Sequence, residues 1–404
     1  MSIQLLPNES NGAKIKVVGV GGGGGNILNS MVDKGIEGVE FIAINTDLQS
    51  LELSKADVKI QIGKNITKGL GTGANTAIGD KAAEESREEI AKALAGSDMV
   101  FITAGMGGGT GTGASPLVAK IARSLEILVV AIVTKPFLFE GKPRMDAAIE
   151  GIDKLKREVD SLILIPNERI KELMPKNSNK NQAFALANAV LYNATKGISQ
   201  IITKTGEINV DFADVKTTMK NTGDAIIGTG IANGEGRALK AVNDALSNPI
   251  LENIDITGAK NVLVNIASNG NLGFEEIDII NSTVLESTGD KAKFIFGLLD
   301  DKEMEEEVMV TVIATGFKKE ESVKDVEKEE PEYANVIGLK EISTIGVIDG
   351  YVDDLSKLDP PAYIRRGYAK NIKLNEDLSE KDTNAVKKNF GNYGFGNNDL
   401  KDVD

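Results

Sequence analysis

The chain has 404 residues, 60 of them acidic and 46 basic, with no histidine, cysteine or tryptophan. These absences exclude disulfides, thiolate and imidazole metal sites and every histidine-assisted nucleophile, and a net charge of −14 argues against a nucleic-acid backbone as the main partner. The length allows two domains plus a tail, and 41% hydrophobic content with only 4% aromatic suits Val-, Ile- and Leu-rich parallel strands covered by helices.

Met1 to Lys14 shows no basic-then-apolar leader. The first strand signal follows at 15–20, and directly after it come Gly21, Gly22, Gly23, Gly24 and Gly25, opening a helix expected at about Asn26. A strand running through glycine into a helix offers free backbone N–H groups and a positive dipole end to an anion. Strands at 41–44 and 99–102 and a helix at 82–95 come next. A second glycine run, Gly107-Gly108-Gly109-Thr110-Gly111-Thr112-Gly113, then leads into a helix expected at 114–124. A tight turn needs one or two glycines, not five in seven residues. Two such cradles at the carboxyl ends of strands in one sheet converge on one crevice, which favours an oligophosphate ligand. No G-x-x-x-x-G-K-[ST] occurs, so this is not a P-loop.

Strands at 127–133 and 161–165 flank a helix at 144–159. The apolar run 127–133 is far shorter than the roughly 20 residues that span a bilayer, so a soluble cytoplasmic protein without membrane insertion is expected. A long helical period covers 181–204, with Phe184, Leu191, Ile198 and Ile202 on one face. Beyond it the pattern reads helix 237–246, strand 261–267, helix 274–286, then strands 293–299 and 308–314. Residues 318–332 are almost all charged and read as solvated linker. An apolar and basic island follows at 358–366, and the glycine- and asparagine-rich end reads as disordered.

The second glycine run matches the tubulin signature in its bacterial form, and the chain resembles the tubulin/FtsZ superfamily in its cell-division branch. Supporting motifs occur in order: Asn45-Thr46-Asp47, Gly69-Leu70-Gly71-Thr72-Gly73-Ala74-Asn75, Phe139-Glu140-Gly141-Lys142-Pro143-Arg144-Met145, Pro166-Asn167 and Asn209-Val210-Asp211-Phe212-Ala213-Asp214-Val215. The resemblance implies an α/β fold with a parallel-sheet GTP-binding domain of tubulin type at 12–180 and a central helix at 181–204. A smaller α+β C-terminal domain (205–317), an acidic flexible linker (318–357), a partner-binding peptide (358–366) and a disordered extension (367–404) complete it.

The resemblance also implies GTP and GDP as ligands with Mg²⁺, although no metal-ligating residue is singled out. Gly21 to Gly25 and Gly107 to Thr112 would cradle phosphate, Gly71, Thr72 and Gly73 would close over the γ-phosphate, and Asn45 would join the nucleotide contacts. Glu140 and Arg144 would hold the ribose and phosphate side, while Asn26, Asn167 and Phe184 would frame the guanine. The family carries an acid on the central helix where this chain has Ala189, leaving Asn188 or Asn193 to meet the guanine donors. Spacing alone also allows plainer readings: an i,i+4 surface pair for Glu140 and Arg144, a core ring for Phe184 and a helix cap for Asn167.

Asp211 and Asp214, with Asn209, could polarise a water or simply cap a helix. The resemblance favours catalysis, these acids completing the site of the next subunit in a head-to-tail filament of the division ring. Asp359, Pro361, Tyr363, Ile364 and Arg365 would dock membrane-tethering and regulatory division proteins. Other readings stay open: a tubulin-like filament for DNA partition or cell shape, a nucleotide scaffold without hydrolysis, or an NAD-dependent oxidoreductase. The last would use Gly19-Val20-Gly21-Gly22-Gly23-Gly24, which fits G-x-G-x-x-G.

Overall fold

The structure is a computed structural model that describes residues 12–174, 178–204, 206–247, 256–289, 291–302 and 304–317. The charged linker, the 358–366 island and the C-terminal extension therefore lie outside the described residues. Alternating β-branched runs and helices build β1 (Ile15–Val20), α1 (Gly21–Asp33), β2 (Val39–Asn45), α2 (Leu48–Glu52), β3 (Val58–Gln61), α3 (Lys64–Thr67), α4 (Thr76–Glu85) and α5 (Arg87–Leu94). The chain continues through β4 (Met99–Gly105), α6 (Gly109–Ser124), β5 (Leu128–Lys135), α7 (Lys142–Lys156), β6 (Ser161–Pro166), α8 (Asn167–Ile170) and the long α9 (Lys180–Thr203). After α9 come α10 (Phe212–Met219), β7 (Gly223–Ala232), α11 (Arg237–Leu246), β8 (Asn261–Ser268), α12 (Phe274–Thr288), β9 (Lys293–Asp300) and β10 (Val308–Thr315).

Three local expectations change. Both glycine runs are already helical, since α1 begins at Gly21 and α6 at Gly109. Low helix propensity of about 1 kcal/mol per glycine is overridden by close packing of these turns. The expected helix at 82–95 is two helices that meet at Ser86, whose hydroxyl accepts the Gly63 N–H at 3.3 Å. Two strands escaped the sequence reading, the four-residue edge strand β3 and the glycine-rich β7. In β7 a β-carbon on Gly230 would stand 2.0 Å from the Ala241 carbonyl oxygen of α11.

The sheet order is β3-β2-β1-β4-β5-β6-β7-β10-β8-β9. Pairing is parallel from β3 to β7, β10 is antiparallel to both β7 and β8, and β9 is parallel to β8. The 12–180 and 205–317 segments thus share one sheet. In its parallel half the strand order reverses between β1 and β4, the switch point where such sheets bind ligands beyond their carboxyl ends. Alternation puts Val17 and Phe101 on one face with α1 and α9, and Val18 and Ile102 on the other with α4 to α7.

Asp160 pins the junction of β5, β6 and β7. Its carboxylate accepts the N–H groups of Val129 (2.9 Å) and Asn221 (3.3 Å), and its carbonyl accepts those of Thr222 and Gly223. β6 and β7 then pair over only three residues. Helix α9 opens on a capping box, Asn179 with Gln182. It buries Ala187, Leu191, Ala194, Ile198 and Ile201 at alternating spacings of four and three, and its 24 residues span ~36 Å.

Candidate nucleotide-binding site

β1 runs straight into α1 and β4 reaches α6 through the turn at 106–108, and neither helix start has a side-chain cap or an acid in its first turn. At α6 the first-turn positions are Gly109, Thr110, Gly111 and Thr112, preceded by Gly108 in extended backbone. The free N–H groups and about half a positive charge at each helix start make both ends anion sites. They touch one another: a β-carbon on Gly21, whose φ is +70°, would lie 2.7 Å from the Gly111 nitrogen.

The glycines divide into two kinds. Gly24, Gly109 and Gly113 are required by the fold, because added β-carbons would fall 2.4 Å from the Thr103 carbonyl oxygen, 1.9 Å from Thr72 Oγ1 and 2.1 Å from the Thr76 carbonyl oxygen. Gly23 is nearly as tight against Gly105 at 3.2 Å, and Gly107, at φ +95°, backs onto Arg144. By contrast Gly22, Gly25, Gly71 and Gly108 have neither a positive φ nor any atom within 4 Å of an added β-carbon. Nothing among the described residues explains them, and Gly22 and Gly25 line the cavity beside α1.

Around this floor the site residues fall into three groups. Thr110 Oγ1 lies 2.9 Å from Thr46 Oγ1 and 3.5 Å from Thr72 Oγ1, and Gly107 N–H donates to Thr112 Oγ1 at 2.7 Å. These bonds tie the segment after β2 and the Gly71–Thr72–Gly73 loop to the start of α6. A cavity of about 150 Å³ opens beside α1, lined by Gly21, Gly22, Gly25, Asn26, Asn29 and Asn45 among others. At its rim Asn29 Oδ1 accepts the Lys55 N–H at 2.8 Å.

The third group surrounds the turn after β5. Glu140 is largely buried, accepts the Phe137 N–H at 2.9 Å and pairs with Arg144 at 3.1 Å. Phe137 stacks on Phe139 at 5.0 Å and meets Phe184 edge-on at 5.6 Å, with Lys171 over both stacked rings. Glu168 organises this turn by accepting the Leu138 N–H and the Lys171 ammonium. Burial pushes its carboxyl up, but those two partners outweigh burial and hold it below the usual glutamate range.

Phe184 is 44% exposed, so it is not a core ring. Asn167 is 6% exposed and its Oδ1 has no hydrogen-bond partner among the described residues, an arrangement that favours an incoming donor. Asn188 and Ala189 are half-buried on α9. Thr46, Asn29, Phe137 and Lys171 were not singled out from sequence. Thr46 lay inside a quoted motif, but its role needed the Thr110 contact, which no spacing discloses.

Asp211, Asp214 and Asn209 lie elsewhere, beyond the far end of α9. Asp211 is the N-cap of α10 and accepts the Ala213 N–H at 3.2 Å, Asp214 sits in the first turn, and Asn209 Oδ1 accepts the Gly206 N–H at 2.6 Å. Phe184 and Lys204 are separated by ~30 Å of helix. The acids are thus remote from the cradle of their own chain. Among the described residues no group of three or more acids could cage a metal ion, and no helix is long and apolar enough to cross a membrane.

Fold and crevice together define an α/β protein that offers two helix starts to one phosphorylated ligand. Residues 14–175 match the GTPase domain of the tubulin/FtsZ family, and residues 223–318 match the FtsZ family C-terminal domain. The chain is 46% identical over 373 residues to the cell division protein FtsZ of Buchnera aphidicola subsp. Schizaphis graminum, covering 92% of this chain and 94% of that one. It superposes with TM-score 0.73 on an empty FtsZ dimer from M. jannaschii, at 48% identity, covering 76% of this chain and 89% of that one. CetZ1 from Haloferax volcanii, a GDP-bound monomer, shares the fold at TM-score 0.65 and 22% identity, covering 76% and 95%. The chain belongs to the tubulin/FtsZ family, in its FtsZ branch.

Proposed function

We propose that this chain binds GTP in the crevice between β1 and β4, assembles head-to-tail into a filament of the cell-division ring, and hydrolyses GTP where two copies meet. The observation that carries this is the separation between an acid-free phosphate cradle and the acids beyond the far end of α9. A complete centre then needs the cradle of one copy and the acids of another. The FtsZ relative at 48% identity was solved as a dimer, which supports self-association.

In this reading the N–H groups of Gly21 to Gly25 and Gly107 to Thr112 bind phosphate, Gly71, Thr72 and Gly73 close over its end, and Asn45 joins these contacts. Arg144 adds positive charge beside Gly107, and Glu140 holds Arg144 and faces the ribose. Asn26, Asn167, Asn188 and the exposed ring of Phe184 frame the base. Mg²⁺, when bound, would neutralise phosphate charge; with no acid cage among the described residues, it would be held chiefly by phosphate oxygens and water. From the next copy Asp211 and Asp214 orient the attacking water, with Asn209 shaping their loop. The peptide carrying Asp359, Pro361, Tyr363, Ile364 and Arg365 docks membrane-tethering and regulatory division proteins, so the filament works in the cytoplasm at mid-cell without inserting into lipid.

The test is phosphate release per subunit across a range of protein concentrations. Turnover should rise steeply above a threshold, and Asp211→Ala should lose at least about a hundredfold in rate while binding GTP normally. A dilute monomer as active per molecule as concentrated protein would refute it.

A further inference from the structure

The loop that leads to Asp211 rests on two buried amides with incomplete hydrogen bonding. Gln200, in the last turns of α9, is 4% exposed, and Asn265, in the middle of β8, is 2% exposed. Gln200 Nε2 donates to Asp301 Oδ2 at 3.4 Å. That contact fixes the amide and turns Oε1 away from the carboxylate. Gln200 Oε1 and Asn265 Nδ2 are both buried and without a hydrogen-bond partner among the described residues. One atom is an acceptor and the other a donor.

Both residues line a single small cavity, together with Gly206, Ile208, Asn209 and Val210 of the loop and residues 297–299 of β9. Its volume is about 10 Å³, at the lower end of the ~10–15 Å³ that one water molecule requires. The loop is seated hard against β9. Ile208 and Leu298 exchange backbone hydrogen bonds at 3.4 and 3.0 Å, and a β-carbon on Gly206 would fall 2.0 Å from the Leu298 carbonyl oxygen. The loop is therefore fixed on β9, and the cavity it shares with α9, β8 and β9 is lined by the two residues whose amides carry an unpartnered acceptor and an unpartnered donor.

We propose that one buried water molecule bridges Gln200 Oε1 and Asn265 Nδ2 and supports the 206–210 loop, so that both residues position Asp211 and Asp214 for the neighbouring copy's nucleotide. The water accepts from Asn265 and donates to Gln200, and a flipped Asn265 amide would be served equally well by a second donated bond. The positioning role rests on the interface reading above.

The experiment uses the full chain. Crystals of the wild type should show a water within hydrogen-bond distance of both atoms, and crystals of Asn265→Leu should not. Asn265→Leu should keep GTP affinity and melting temperature while turnover at saturating GTP falls on the order of tenfold or more, because small misplacements of reacting groups are costly. Asn265→Ser, which keeps a hydroxyl and room for water, should recover most of that loss. Gln200→Leu combined with Asn265→Leu should be no slower than the slower single variant. A dry cavity, multiplicative losses in the double variant, or full turnover in Asn265→Leu beside an inactive Asp211→Ala would each overturn the inference. Full turnover in Asp211→Ala itself would instead remove the interface reading and the positioning role with it, leaving only the water to be judged by its density.

Discussion

The two kinds of glycine give opposite predictions for the same substitution within one turn of helix. Gly22 is the second residue of α1, and an added β-carbon there meets nothing within 4 Å. Gly22→Ala should therefore stabilise the ligand-free protein by up to about 1 kcal/mol, since alanine loses less entropy in a helix. Gly24→Ala, two residues on, puts its methyl 2.4 Å from the Thr103 carbonyl oxygen and 3.0 Å from the Gly19 carbonyl carbon. Both contacts lie well inside the ~3.5–4.0 Å optimum, and such overpacking costs about 1–3 kcal/mol. If the open glycines face phosphate, the Gly22 methyl should weaken nucleotide binding at least about tenfold, or ~1.4 kcal/mol. Thermal melting with and without GDP reads both effects. At a concentration 100 times the wild-type Kd, GDP stabilises the wild type by about 2.7 kcal/mol, and a tenfold weaker variant by about 1.4 kcal/mol. Gly22→Ala should thus melt higher than wild type without GDP and show about half the GDP-dependent gain. A full gain would mean that Gly22 does not face the ligand, and the crevice would lose its main support as a phosphate cradle.

The 237–317 segment carries its own test. The Arg237 guanidinium is largely buried against Glu276 (2.8 and 3.0 Å), the Glu306 carbonyl and Asn271, so Arg237→Ala should destabilise by about 3–5 kcal/mol in urea unfolding. The hydrogen bond from Arg237 holds the Glu276 carboxyl below its ordinary value, against the upward push of burial. This stability is fully present above the ordinary glutamate pKa of 4.5 and fades as pH falls through the depressed value. Wild type should therefore lose more stability than Glu276→Gln on acidification below that pH. At the base pocket, Ala189→Asp should strengthen GTP binding and widen discrimination against ATP in competition titrations, since a carboxylate accepts guanine's donors better than an amide does; unchanged affinity would contradict that account.

How far the sequence disclosed this molecule depended on whether a signal was local. The long helix was legible because Leu191 and Ile198 repeat on one face, and the 237–246 helix agreed to the residue. β7 was not, because its glycines suppress the β-branched pattern and Gly230 is explained only by the carbonyl of a helix that follows it in the chain. Both glycine runs were legible as strand-to-helix junctions, yet how early the helices begin was hidden, since propensity argues against it and only packing of these turns against one another, β4, α4 and Thr72 reverses the balance. Thr46 and Asn29 act through partners 64 and 26 residues away, distances no periodicity reaches. The alternative oxidoreductase reading drew on the G-x-G-x-x-G match at Gly19 to Gly24. What separates the two is the second glycine run at β4, together with β2 ending on Asn45 rather than on an acid.

The proposed chemistry also constrains the geometry of assembly. Cradle and acids sit toward opposite ends of α9, so two copies that complete a centre must stack in the same orientation. Each added copy then exposes a fresh cradle at one end and fresh acids at the other. A contact between unlike surfaces closes into a ring only if its rotation permits, and otherwise extends without limit. Because the γ-phosphate would lie in the seam, its loss would remove charge and contacts from the surface that holds the filament together. Turnover and disassembly would then be one event seen from two sides. This coupling requires the acids to be rigidly presented, which is why the support beneath the 206–210 loop bears on polymer lifetime as well as on the chemical step.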